Sequence, residues 1–293
     1  MLQLSGLIDL QVNGYGGIDF LSATSEADIR NAARALQADG VSGFLPTLIT
    51  SEIEDLKRAA MLINRVADSQ EPDEAEILGI HLEGPCLSPG RRGVHPEGLL
   101  QEPSPKLIQE LLGIKRVKMI TIAPELPGAI DAINRISNAG VIASIGHTEA
   151  NREIFEAAVD AGARAVTHLF NGMKKDGELI DAILACKEVQ VQMIVDDVHV
   201  SRELVKSICD VALDRLILVT DAVAPAGLGE GRFSLGGMKI EVRDGRAVRP
   251  DGRLAGGLSR LSRSIEILAE LGFNQSATLP CVTSRPLELI NAS

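Results

Sequence analysis

Short apolar runs rich in β-branched residues alternate along the chain with longer stretches of helical period. That alternation predicts βα units arranged around a parallel sheet. The runs predicted as strands are Gly6–Asn13, Val41–Thr50, Ile77–Glu83, Val117–Pro124, Val141–Gly146, Ala165–Phe170, Gln190–Asp196 and Leu216–Thr220. The helical period is clearest at Ser25–Asp39, Glu52–Ala67, Pro105–Leu112 and Ala150–Ala161, with two more helices expected near Leu258–Leu271 and Thr283–Asn291. Ser25 followed by Asp28 suits an N-terminal cap and Gly40 a C-terminal stop. The glycine- and charge-rich segment Gly227–Gly257 is expected to form loops and a hairpin. Eight strands separated by helices predict a closed (β/α)8 barrel of the TIM type, with an open doubly wound sheet as the competitor. No low-complexity linker, repeat or boundary interrupts the pattern, so residues 1–293 read as a single barrel domain with C-terminal helices.

Composition narrows the chemistry. Aromatic residues are 2% of the chain, Trp is absent and Tyr15 is the only tyrosine. The core must therefore be built from Ile, Leu, Val and Ala, which barrel interiors favour. A sugar ring stacked on an aromatic face is nearly out of reach, so any sugar must be held by hydrogen bonds and charge. The net charge of −11, from 29 basic and 40 acidic residues, argues against nucleic acid and against anionic membranes. It leaves room for an anionic small molecule in a locally positive pocket. Cys86, Cys186, Cys209 and Cys281 are scattered without a CxxC pair, which disfavours thiolate metal sites and a disulfide framework. With no leader and no apolar run near 18 residues, a cytoplasmic protein is expected.

In a βα barrel the active site forms at the C-terminal ends of the strands. Glu83 ends the third predicted strand, His147 the fifth and Asp221 the eighth, and His168 lies in the sixth. Glu83, His147 and His168 make a His2Glu set that leaves a coordination position free, as catalytic zinc sites do. One divalent ion per subunit is expected, zinc ahead of iron(II) or manganese, and such an ion brings the pKa of bound water to about 7. Asp221 is placed to take a proton from that water and pass it to a leaving amine. The alternative is that each imidazole is a hydrogen-bonded core residue.

Around this set the readings stay open. His95 is either a donor to a developing oxyanion or a surface-loop residue. His199, after the seventh strand, is a substrate contact or a helix-entry residue. His81 shares a face with Glu83 one layer deeper and reads as core. Gln11 and Asn13 either support the site or satisfy neighbouring backbone. Arg91-Arg92 and Lys174-Lys175 are solvated pairs or the cations that meet a phosphate.

The segments Gly6-Leu-Ile-Asp-Leu-Gln-Val-Asn-Gly14, His81-Leu-Glu-Gly-Pro85, Ile122-Ala-Pro-Glu125, Gly146-His-Thr148, Thr167-His-Leu-Phe-Asn-Gly-Met173 and Val219-Thr-Asp-Ala222 occur in an order that resembles the N-acetylglucosamine-6-phosphate deacetylases of the amidohydrolase superfamily. The resemblance implies metal ligation by Glu83, His147 and His168, with Asp221 as general acid/base and His95 polarising the acetyl carbonyl. It implies substrate contacts from the backbone of Asn171 and Gly172 and from His199, and commonly a homodimer. Gln11-Val-Asn13 replaces the His-x-His of two-metal relatives and resembles the one-metal branch. Two departures stand out. The small β-sandwich usual in the family is expected to be missing. The arginine usual shortly after the Asn-Ala/Gly-Met turn is replaced by Lys174-Lys175, which lack its bidentate fork. The expected activity is removal of the acetyl group from N-acetylglucosamine 6-phosphate. The alternatives are a deacylase for another N-acyl amino sugar or amino acid, and a non-catalytic sugar-phosphate binder, against which Asp221 argues.

Overall fold

Residues 6–174 and 177–292 are described by the computed structural model of the chain. Eight parallel strands lie side by side in chain order: β1 (Leu7–Val12), β2 (Val41–Ile49), β3 (Ile80–Glu83), β4 (Val117–Ile122), β5 (Ile142–Ile145), β6 (Ala165–Val166), β7 (Gln190–Ile194) and β8 (Leu216–Val219). Each is followed by a helix: α1 (Glu26–Ala38), α2 (Ile53–Ala67), α3 (Pro105–Leu112), α4 (Ala129–Asn138), α5 (Arg152–Asp160), α6 (Gly177–Ala185), α7 (Arg202–Ala212) and α8 (Leu261–Glu270). The fold is the (β/α)8 barrel. Among the described residues no helix is long and apolar enough to cross a membrane.

Local chemistry explains the elements. Ser25 and Asp28 form a reciprocal capping box on α1, and the chain leaves that helix through Gly40 at φ 91°. Ser104, Asn151 and Ser201 cap α3, α5 and α7 one-way, each side-chain oxygen accepting a backbone N–H of the first turn. The barrel closes thinly. β1 and β8 meet in one bridge, Val12 against Ala222, with Asn13 and Gly14 N–H both donating to the Ala222 carbonyl at 2.7 and 3.1 Å.

The inside of the barrel is layered, because side chains two apart on a strand share a face. The lower layer is apolar: Leu45, Met119, Ile142, Ala165, Ile194 and Ile217 pack with Leu10, and Leu289 and Ile290 of the last described helix, Ser284–Asn291, plug it. Two residues further on, β2, β4, β5 and β6 turn polar. His81 Nε2 meets Thr121 Oγ1 at 2.7 Å and its Nδ1 meets Thr47 Oγ1 at 3.3 Å. Thr121, Thr167 and Ser144 continue the belt through hydroxyl contacts of 2.8 and 2.6 Å. Burial lowers the His81 pKa to about 4, so this imidazole is neutral within its hydroxyl belt. Above the belt lies the strand-end rim.

Three expectations need correcting. The sixth strand stops at Val166, because His168 and Phe170 take φ of 26° and 74° and turn the chain away. The third run breaks at Gly79, whose backbone sits where a Cβ would lie 2.3 Å from Lys118 Cγ, so Glu76–Ile77 and β3 pair separately with β2. The segment expected as a hairpin is a three-stranded antiparallel sheet, β9 (Gly231–Leu235), β10 (Met238–Arg243) and β11 (Arg246–Val248). Its two tight turns are Gly236-Gly237 and Asp244-Gly245, all at positive φ, as two-residue hairpin turns require.

The layered interior makes a two-sided prediction. Leu10→Ala, at a fully buried position, lowers unfolding stability in urea by about 3 kcal/mol. Leu204→Ala, at a position 42% exposed on α7, changes it by less than about 0.5 kcal/mol.

Candidate active site

Glu83 is the hub of the rim. It ends β3, is almost fully buried, and its Oε1 accepts a hydrogen bond from Gln11 Nε2 at 2.9 Å. The same oxygen lies 3.2 Å from His147 Nε2 and 2.9 Å from His168 Nε2, while Oε2 lies 3.7 Å from His95 Nε2. Burial alone would raise the pKa of this carboxyl, but the bonds and charges of His147 and His168 hold it well below the usual range. For His168 burial disfavours the cation, and the bond and charge of Glu83 outweigh it, so its pKa is raised.

The strand ends are bent to aim these side chains inward. His147, His168 and Asp221 adopt φ of 48°, 26° and 49°, a region that non-glycine residues enter only under local constraint. His147 shows the constraint clearly. Its Nδ1 faces the Arg91 carbonyl oxygen at 2.8 Å, and a Cβ at Gly172 would lie 2.6 Å from that same nitrogen. Gly172, at φ 58°, is therefore the residue that lets the ring stand where it does.

The hydrogen bonds also assign protons. A carbonyl only accepts, so His147 Nδ1 donates to Arg91, and in the neutral ring Nε2 then presents its lone pair to Glu83. A lone pair facing a carboxylate oxygen is repulsive without a positive charge between them. His168 Nδ1 is buried with no partner among the described residues. The ligand atoms of Glu83, His147 and His168 lie within 4.8 Å of one another. One carboxylate and two imidazoles so gathered suit a divalent ion of the zinc, iron or manganese type.

His95 carries the opposite tautomer. Its Nδ1 accepts from Thr50 N–H at 3.3 Å and lies 2.9 Å from the Thr50 hydroxyl, so Nε2 bears the proton and points it into the site. Burial, then the neighbouring His147, lowers the His95 pKa to about 3, which keeps the ring neutral. His199 Nδ1 donates to Asp196 Oδ2 at 2.8 Å, leaving Nε2 toward the cleft. Burial works to raise Asp196, but His199 and two backbone N–H groups lower it overall, so the partner is a carboxylate. Asp221 is held by Asn13 Nδ2 at 2.7 Å from Oδ1. Burial, then the charge of Glu83, raises its pKa to about 6.

These groups line one cleft of about 150 Å³ together with Asn13, Asn171, Gly172, Val94, Leu235 and Leu254. The structure thus brings together Glu83, His95, His147, His168, Asn171, Gly172, His199 and Asp221. Gln11 does not line the cleft; its amide is spent on Glu83. The Asn171 side chain turns back onto the His168 and Leu169 carbonyls, leaving its backbone beside the cleft. Among the described residues, no lysine or arginine lines it. Lys174 is half-buried beside Met173, and Lys175 lies outside the described residues. Arg91 pairs with Glu149 at 3.4 Å, and Arg92 braces the His95 carbonyl at 3.3 Å.

Sequence reasoning missed four supporting residues. Thr50 sets the His95 tautomer, Asp196 sets that of His199, and Asp9 binds Thr220 beneath Asp221. Arg249, in the loop after β11, donates to the Gly93 carbonyl at 3.4 Å and so reaches the cleft wall from the small sheet. Asp196 sits three residues before His199, a spacing that could have signalled the pair; the other three partners are remote in sequence.

No family model matches the chain. The N-acetylglucosamine-6-phosphate deacetylase of Bos taurus is 32% identical over 97% of this chain and 73% of its own length. The N-acetylgalactosamine-6-phosphate deacetylase of Shewanella sp. (strain ANA-3) is 33% identical over 98% of this chain and 74% of its own. A solved structure of an N-acetyl-D-glucosamine-6-phosphate deacetylase mutant from Mycobacterium smegmatis, in complex with N-acetyl-D-glucosamine-6-phosphate, matches with a TM-score of 0.92 at 33% identity, over 98% of this chain and 77% of that one. The chain spans about three quarters of the length of these proteins. Identity of this depth along nearly the whole barrel, on top of the convergent Glu83, His147, His168 and Asp221, means that the chain belongs to the N-acetylglucosamine-6-phosphate deacetylase family.

Proposed function

We propose that the chain hydrolyses the acetamide of N-acetylglucosamine 6-phosphate, giving glucosamine 6-phosphate and acetate. The observation that carries this reading is the convergence of Glu83, His147, His168 and Asp221 from separate strand ends onto one cleft. Glu83, His147 and His168 would hold a divalent ion, zinc ahead of iron(II) or manganese, which when bound supplies Lewis-acid activation of water and of the amide.

The chain's own residues supply the rest. Asp221, as a carboxylate, takes the proton of the attacking water and returns it to the amide nitrogen as the C–N bond breaks. Its Oδ1 is fixed by Asn13, which leaves Oδ2 for the transfer. His95 donates from Nε2 to the acetyl carbonyl oxygen as negative charge builds there, and its neutrality is the state in which that proton stays put. His199 offers Nε2 to a sugar hydroxyl, with Asp196 holding its other nitrogen. The backbone at Asn171 and Gly172, where Gly172 takes φ 58°, offers N–H groups to an anionic group on the sugar.

A second reading is favoured by one specific observation: with no lysine or arginine among the described residues of the cleft wall, the preferred amide is unphosphorylated. Arg92 and Arg249 bond to the carbonyls of His95 and Gly93, and Lys174 follows Met173.

Three outcomes are expected. Metal-loaded protein releases glucosamine 6-phosphate in a free-amine assay, and kcat/KM for the phosphorylated sugar exceeds that for N-acetylglucosamine at least roughly tenfold, as one charge-assisted contact would give; the reverse order selects the unphosphorylated amide. Adding Zn²⁺ at about a hundredfold its Kd to chelator-treated protein stabilises it by about 2.7 kcal/mol, read as a rise in melting temperature. Glu83→Gln abolishes that rise along with turnover, and an undiminished rise would rule out Glu83 as a ligand. Finally, a base must be ionised to work, so kcat/KM increases with pH through an apparent pKa at or below about 6, the direction below 6 being set by the bound cation. Asp221→Asn lowers kcat roughly 100- to 10,000-fold, and a variant that keeps the acidic limb at wild-type rate removes Asp221 from the reaction.

A further inference from the structure

We propose that Asp9 and Thr220 are positioning residues that hold the Asp221 carboxyl in its working orientation; the proposal rests on the role given to Asp221 above. The observation begins at the barrel seam. β1 and β8 form no ladder below the single Val12–Ala222 bridge, and the β1 register slips between Asp9 and Val12. The Asp9 side chain occupies the place of the missing ladder. Its Oδ1 accepts the Gln11 N–H at 3.2 Å and the Thr220 N–H at 3.3 Å, and its Oδ2 accepts the Thr220 hydroxyl at 2.6 Å. The Thr220 oxygen in turn accepts the Ala222 N–H at 3.1 Å. The hydroxyl proton is committed to Asp9 and a lone pair to Ala222.

Those two bonds bracket Asp221. The residue between them takes φ 49°, so it must be held from both sides or relax toward the extended backbone of β8. Gly257 N–H binds its carbonyl at 2.8 Å and Asn13 its carboxyl, and to these the Asp9–Thr220–Ala222 chain adds a hold on the residues immediately before and after it.

The cost of the device argues for a role. Asp9 is fully buried, and among the described residues no cation pairs with it. A carboxyl so placed is expensive, and burial pushes its pKa up to about 7 against the help of its three bonds. Ordinary backbone pairing would close a seam without that expense. What pairing cannot do is pin the hydroxyl of the residue before Asp221.

Thr220→Val removes the hydroxyl while keeping the shape. The wild-type protein and this variant are compared with N-acetylglucosamine 6-phosphate under saturating Zn²⁺. The expected result is a loss of kcat of roughly 10- to 100-fold, with KM within about twofold, because misplacing a catalytic group is costly and neither residue touches the sugar. The melting-temperature rise on adding Zn²⁺ stays at the wild-type size. Thr220→Ser restores kcat to within about threefold of wild type, which replacing a mere packing element would not require. Should Thr220→Val fail to fold, Asp9→Asn serves instead: its carboxamide oxygen keeps the two backbone N–H groups, but its nitrogen can only donate, which reverses the bond and turns the Thr220 proton away from residue 9, and kcat falls in the same way. Combined with Thr220→Val, its effect is less than additive, since both break one contact. A kcat within twofold of wild type in Thr220→Val or Asp9→Asn, a loss that Ser does not restore, or a loss carried mainly by KM overturns the proposal. A wild-type protein that turns nothing over refutes the deacetylase reading itself, which separates the two failures.

Discussion

A buried carboxylate among imidazoles governs this barrel mouth. Glu83 is almost sealed from solvent, and among the described residues no lysine or arginine pairs with it; its neighbours are Gln11, His95, His147 and His168. A charge in that setting is tolerable only with positive charge close by. With its Nδ1–H already serving the Arg91 carbonyl, His147 can turn a proton toward Glu83 only as an imidazolium, which itself brings the positive charge. The arrangement is therefore built around a positive centre, and a divalent ion satisfies three sets of lone pairs at once. The bent backbones at His147, His168 and Asp221 and the bare backbone at Gly172 follow from that demand, since each is what it takes to aim a ligand or base at one point.

Rigidity beneath the rim makes the aim durable. The hydroxyl belt of Thr47, His81, Thr121, Ser144 and Thr167 spans five consecutive strands directly under the ligands. A polar layer in a barrel core is a liability unless its partners are found inside, and a satisfied one resists displacement because every shift breaks a buried bond. Below it the apolar plug excludes water. The seam of β1 and β8 is the exception to regular closure, and there the side chain of Asp9 does what backbone does elsewhere. Glu83 and Asp221 thus rest on different supports, the first above the belt and the second on the seam.

Much of this was legible in the sequence, for a physical reason. Residues at the ends of buried strands have few tolerated types, so polar side chains at Glu83, His147 and Asp221 advertise themselves against aliphatic runs. His168 was legible as a site residue but not as lying outside its strand, because a positive φ at a histidine leaves no compositional trace. The small sheet was under-read although Gly236-Gly237 and Asp244-Gly245 flank the alternating Ile240 and Val242. The partner of Gln11 was not legible, because strand alternation gives a side chain's face but not its reach, and its reach ends at Glu83. Thr50, Asp9 and Thr220 were invisible for a related reason: threonine and aspartate in strands are ordinary until a partner 45 or 211 residues away gives them a role.

Substrate choice draws on a different part of the molecule from the chemistry. Relatives named for N-acetylglucosamine 6-phosphate and for N-acetylgalactosamine 6-phosphate stand at nearly equal identity to this chain, 32% and 33%. Those two sugars share the acetamide and the phosphate and differ in configuration at one hydroxyl carbon. In the proposed reaction the groups that meet the acetamide, Asp221 beyond a strand end and His95 in the loop after β3, are held by Asn13 and Thr50 and are poorly placed to discriminate at that carbon. The groups free to vary are the loop residues of the cleft wall: Val94 beside His95, and Leu235 and Leu254 around the small sheet. Arg249 ties the two together by its bond to the Gly93 carbonyl. The small sheet is thereby tied to the loop that carries His95, whereas Glu83 is held from Gln11 on the first strand.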